Sequence, residues 1–121
     1  MAKLVADLAM DAALDYVAGA TEIYICTSQP ATRAAAITAA LIAAHTMASG
    51  DYAKADGDSS GRKVTVAQQA DLSITTTGDA THVVLCDATN IRLITTCTTQ
   101  TLTSGGTVTI PAFSYTIADP T

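Results

Sequence analysis

The stretch Leu72 to Ile117, LSITTTGDATHVVLCDATNIRLITTCTTQTLTSGGTVTIPAFSYTI, decides the fold. Threonine, valine and isoleucine recur through it in short alternating runs, and branched Cβ atoms fit a pleated surface better than a helical turn. The runs predict strands at Asp71 to Thr76, Ala80 to Asp87, Asn90 to Thr98, Thr107 to Pro111 and Phe113 to Ala118. Turn signals separate them at Thr77-Gly78-Asp79, Asp87-Ala88-Thr89-Asn90 and Ser104-Gly105-Gly106. Short, regularly spaced strands with hairpin punctuation predict a mainly β chain, an antiparallel β-sandwich or a jelly-roll-like barrel.

Upstream, Lys63 to Gln68 extends the pattern, with Val64 and Val66 on one face and Lys63 and Thr65 on the other, so that one face is core and the other is Thr-coated. Glu22 to Thr27 (EIYICT) reads as a buried strand closed by Ser28-Gln29-Pro30. Between these lies Ser49 to Arg62, SGDYAKADGDSSGR, which every local signal marks as a loop. The alanine-rich segment from Ala31 to Ala48 reads two ways. Its alanines favour a short helix or turn within Thr32 to Ala40, followed by an extended piece through His45 to Ala48.

At the N-terminus, Leu4, Val5, Leu8, Ala9, Ala12, Ala13, Tyr16 and Val17 sweep one face of a helix from Leu4 to Ala18, and Asp7, Asp11 and Asp15 recur every four residues on the opposite face. Gly19 is placed to stop it. The three acids read as a solvated face, because like charges four apart repel unless something bridges them. The expected organisation is an N-terminal amphipathic helix over 1–20, packed on or extending from the body, and one β-sandwich domain over 21–121 with a loop at 49–62. A length of 121 residues suits one core and not two.

Only 14% of the residues are charged, against about 25% in an ordinary soluble domain. Such a shortfall points to a surface partly covered by neighbouring subunits, with a Thr/Ser-coated monomer as the other reading. A net charge of -5 and scattered basic residues argue against nucleic acid or an anionic membrane as partner. No apolar run is long enough to span a membrane, and the Lys3 start leads into a stretch interrupted by Asp7, Asp11 and Asp15 rather than a secretory signal. Cys26, Cys86 and Cys97 fit no metal spacing and are expected as buried reduced thiols, consistent with synthesis in the cytoplasm.

Chemistry is thinly represented. From Asp71 to Ile117 the charged residues are Asp71, Asp79, Asp87 and Arg92, too few for paired-carboxylate work. Asp56, Asp58 and Ser60 alternate before Gly61 as at the opening of a calcium loop, but Ala67 stands where the closing Glu would fall. A hydrogen-bonded turn is the preferred reading, with a weak cation site completed by Asp51 as the alternative. His82 and Cys86 share a strand face, yet residues four apart on a strand lie about 13 Å apart, beyond the reach of a nucleophilic pair. His45 has no ligand-type neighbour at metal spacing. Arg62-Lys63 suits a loop entering a strand, or an acidic patch on a partner. No catalytic, cofactor or metal residue is therefore assigned, and the chain is expected not to be an enzyme.

Three stretches carry a resemblance: Ala55-Asp56-Gly57-Asp58 running into Ser60-Gly61-Arg62-Lys63-Val64-Thr65-Val66, then Gly78 to Asp87 (GDATHVVLCD), and Leu102 to Thr121 (LTSGGTVTIPAFSYTIADPT). Together they resemble small structural proteins of tailed bacteriophages over roughly the last two-thirds of the chain, without counterpart for Ala31 to Ala44. The resemblance implies a virion protein of the capsid decoration or cement type, held on the capsid surface by the major capsid protein and by neighbouring copies of itself, with no catalytic residues to transfer. A tail, neck or head-fibre component, or a self-assembling β-rich filament subunit, are the alternatives.

Overall fold

A computed structural model describes residues 7–38, 40–57 and 61–117. Helix α1 spans Asp7–Ala18, followed by strands β1 (Glu22–Cys26) and β2 (Leu41–Thr46) with the short helix α2 (Arg33–Ala36) between them. Then come β3 (Tyr52–Asp56), β4 (Arg62–Val66), β5 (Gln69–Ser73), β6 (Gly78–Cys86), β7 (Ile91–Leu102), β8 (Thr107–Ile110) and β9 (Phe113–Ile117). Every strand pair is antiparallel. Three sheets result, in the orders β2-β1-β6-β7, β3-β4-β9 and β5-β8. The fold is a mainly β, sandwich-like one with a helix near its N-terminus, as the Thr/Val alternation predicts.

The core follows from strand periodicity. One face of the four-stranded sheet contributes Ile23, Ile25, Val83 and Leu85, and packs in a single cluster with Val64 and Val66 of β4 and Leu72 and Ile110 of the β5-β8 pair. The opposite face is also covered. Tyr24, Cys26, Val84 and Cys86 pack with Ala36 and Ala40, flanked by Ile37, Leu41, Ile91 and Ile94. The alanine-rich segment is thus the lid of a second, smaller core. Small side chains let its backbone lie close, so that the Cys26 thiol reaches the Ala36 carbonyl at 3.8 Å. Thr32 caps α2 by accepting from the Ala35 N–H at 3.2 Å. The extended piece begins earlier than expected, at Leu41, and ends before Ala48.

The sandwich is closed along one side and open along the other. On the closed side Ala43 of β2 bridges Ile74, and the Thr75 N–H donates to the Ile42 carbonyl at 2.9 Å, joining the edge of one layer to the other. The Ser104-Gly105-Gly106 turn does not fold β8 back onto β7. It carries the chain across to the second layer, where β8 pairs with β5, and it is tied to Ile74 by bonds of 3.0 Å from the Gly105 N–H and to the Gly106 carbonyl. Gly105 has φ 93° there, a left-handed conformation that disfavours a side chain. On the open side, among the described residues, β7 pairs only with β6.

Two expectations need correction. Much of the 49–62 segment is not a loop: Ser49–Asp51 is a 3-10 turn, and Tyr52–Asp56 is a strand paired along its length with Arg62–Val66, while 58–60 lie outside the described residues. Its sequence, YAKAD, has little β propensity, and pairing with the Val-rich neighbour decides the matter. The helix face is also rotated from the expected one. Met10, Leu14 and Val17, spaced four and three apart, are the buried residues, whereas Ala9, Ala12, Ala13 and Tyr16 are exposed. Alanines dilute the periodic signal, so the three larger side chains set the buried stripe. Fully burying Leu14 is worth about 2–3 kcal/mol, which makes α1 part of the core.

Candidate interaction surface

The acidic helix face meets the β3-β4 hairpin. Asp11 accepts from Arg62 Nε at 2.9 Å, Asp15 is bonded to Lys54 Nζ, and the Tyr52 hydroxyl donates to the Ala20 carbonyl at 2.8 Å. The hydrogen bond from Arg62 holds the Asp11 carboxyl below its usual range, and the same guanidinium spans to Asp56 at 2.9 Å. The expected solvated face is thus, for Asp11 and Asp15, a clasp. The basic residues that bridge these like charges come from a hairpin far along the chain, which is why spacing within the helix did not disclose it.

A second clasp sits at the β6-β7 hairpin. Asp87 Oδ1 accepts from the N–H groups of Thr89 at 2.7 Å and Asn90 at 2.6 Å, and its Oδ2 accepts from Arg92 Nε at 2.8 Å. These donors hold the Asp87 carboxyl well below the usual carboxylate range. Arg92 also lies over the Tyr16 ring, 4.3 Å from its centroid, and bonds the Tyr16 carbonyl. Arg33 donates to the Asp87 carbonyl at 2.6 Å and pairs with Glu22 at 3.6 Å. Arg33, Lys54, Arg62 and Arg92 therefore face acids of their own chain.

The residues weighed for chemistry are dispersed. Cys86 sits opposite Glu22 and Ile91 in register, and His82 opposite Cys26 and Thr96. His82 spends its Nδ1 on the Thr81 hydroxyl at 2.8 Å. Burial, above all, pushes the Cys26 and Cys86 thiols up to about 11, so both are protonated near neutrality. Cys97, expected to be buried, is exposed instead, because it lies in the outer half of edge strand β7. His45 is exposed on β2. Of the calcium-type loop, Asp58 and Ser60 fall outside the described residues; Asp56 is bonded to Arg62, and Asp51 accepts from the Ala48 N–H at 2.7 Å. No group of three His, Cys, Asp or Glu side chains suited to a metal exists among the described residues. Lys63 is half-buried on β4. No helix among the described residues is long and apolar enough to cross a membrane.

A different feature dominates the surface. Between Arg92 and Asp119 no side chain carries a charge, and most of that stretch is exposed: Thr96 to Thr101 on β7, Thr103 to Thr107, Thr109, Pro111 and Ala112, and Ser114 to Thr116 on β9. No family model matches this chain, nor does any curated protein or solved structure. Hydroxyls bond locally, as Thr65 with Ser114 at 3.0 Å and Thr101 with the Asp79 carboxylate at 2.8 Å, so the exposed surfaces of β7, β8 and β9, which lie in three different sheets, are hydroxyl-coated and bear no ionised side chain of their own beyond Arg92.

The free edge of β7 is interrupted. Ala80 pairs with Gln100 and His82 with Thr96, so Cys97, Thr98 and Thr99 stand opposite the single residue Thr81. A bulge of this kind bends and twists an edge strand, and it breaks the row of backbone groups that another strand would need. Continuous edge-to-edge pairing is thereby disfavoured. Side-chain contacts across the neutral face are not.

Proposed function

We propose that this protein is a non-enzymatic structural subunit of a tailed-bacteriophage virion, a decoration or cement protein that binds the assembled capsid. The observation that carries the reading is the uncharged, largely exposed stretch from Leu93 to Ile117, which supplies β8, β9 and most of β7. Isolated soluble domains keep charges on such faces, and a protein repeated on a lattice buries them against the major capsid protein and neighbouring copies. Both ion-pair clasps lie at the α1 side, where Arg62, Arg92 and their acids hold the subunit together. The resemblance of its last two-thirds to small phage structural proteins agrees with that division.

A cement protein needs no chemistry. It binds the assembled state and not the free subunits, and so stabilises the assembly by mass action. Copy number tests the reading: the chain is quantified by mass spectrometry in purified particles against the major shell protein. A count commensurate with the shell protein supports decoration of the head. A handful of copies moves the protein to the tail, neck or a head fibre, and absence from particles overturns the virion reading. The filament reading is the weaker alternative, because the bulge at Cys97 to Thr99 interrupts the edge that filament growth would use.

A further inference from the structure

On the open side of the sandwich, between the β6-β7 edge and β8, lies a cleft of about 250 Å³. Its wall is apolar, with Ala80 and Val108 in it, and Cys97, Thr98, Gln100 and Thr109 stand at its rim. The bulge residues Cys97 and Thr98 stand at its mouth, and Ala80 supplies only a methyl group to its lining. A molecule that covers this apolar lining removes it from water, which favours binding in proportion to the area covered.

We propose that this cleft binds one neutral, ring-sized apolar molecule bearing a single hydrogen-bonding group. None of the lining residues is charged, so an ionised ligand would be desolvated without a counter-charge. The volume accommodates one or two fused rings. The hydroxyls of Thr98 and Thr109 and the Gln100 amide are all at the rim, so the ligand's polar group sits outward and its rings inward. Bulges often re-aim side chains beside binding sites, and here the bulge brings Cys97 and Thr98 to the mouth. The cleft opens on the surface that the virion reading covers, so the inference concerns the isolated chain and is tested on it.

Indole is the probe, with the full chain and two readouts. Cys97 is the exposed thiol, Cys26 and Cys86 being buried, so its alkylation by iodoacetamide reports access to the mouth. Indole is expected to slow that alkylation saturably, by at least about threefold near 1 mM, and to raise the melting temperature. Ala80→Leu, which fills the floor, should abolish both effects; Val108→Phe, which narrows the cleft nearer the rim, serves if Ala80→Leu fails to fold. Unchanged alkylation and melting at saturating indole would overturn the proposal, as would equal protection in a folded filled variant, which places the binding elsewhere. Protection that grows with protein concentration in the absence of indole would overturn it too, by assigning the cleft to a side chain of a second copy.

Discussion

A Cβ placed on Gly19 would lie 2.5 Å from Nη1 of Arg92, which reaches across from β7 to the end of α1. The glycine that the sequence offers as a helix stop also leaves room for the guanidinium that packs on it. Arg92 in turn is fixed by Asp87 and the Tyr16 ring. The α1 terminus and the β6-β7 hairpin are one unit.

Gly19→Ala should therefore destabilise the fold by about 1–2 kcal/mol, by displacing Arg92. Arg92→Ala should also destabilise it, and the double variant should lose less than the sum, because the second change removes what the first clashes with. Urea melts of the three variants read the coupling. Strict additivity would show that Arg92 moves aside freely.

Acid stability should track Asp87. Its folded value is depressed by the Thr89 and Asn90 N–H groups and by Arg92, so below the unfolded value near 3.8 the unfolded chain binds the proton first. The stabilisation is present above that value and is lost as pH falls further toward the folded value. Asp87→Asn should lower the melting temperature at pH 7 and flatten its fall between pH 5 and pH 2, measured by calorimetry. A parallel acid limb in the variant would assign the acid sensitivity to other carboxylates, Asp11 among them.

Thiol reactivity should divide by location. In the native state iodoacetamide should add once per chain, at Cys97, and slowly, since partial burial raises that thiol as well. Cys26 and Cys86, pushed up to about 11 chiefly by burial, should react only after unfolding. Intact-mass spectra with and without denaturant distinguish one adduct from three.

Leu14→Ala should cost about 2–5 kcal/mol, the usual penalty for emptying a well-packed site, because Leu14 is fully buried with Val17 in the cluster that holds Val64 and Val66. Ala13→Leu, on the exposed face, should change stability little. Comparable effects at the two positions, read by denaturant melts, would mean that α1 is not seated through Met10, Leu14 and Val17.

The strands of the back half were legible because their information is local. Alternation of Val, Ile and Thr fixes a pleated element, and the Asp87 to Asn90 turn closes the β6-β7 hairpin as expected. β3 was not legible, because YAKAD carries no such signal and becomes a strand only beside Arg62–Val66. The uncharged face was legible as composition, but the cleft was not. It is lined from β1, β6, the bulged strand β7 and β8, which meet through pairings between residues distant in sequence.

The sequence by itself determined that this protein is mainly β, antiparallel, poor in charge and headed by a helix, since period and composition are properties of neighbouring residues. The tertiary structure alone decided which side of that helix faces inward, which acids Arg62 and Arg92 bind, and along which side the sandwich stays open. Those outcomes are set by cross-strand register and by the packing of large side chains against distant ones, and neither is encoded within any short window of the chain.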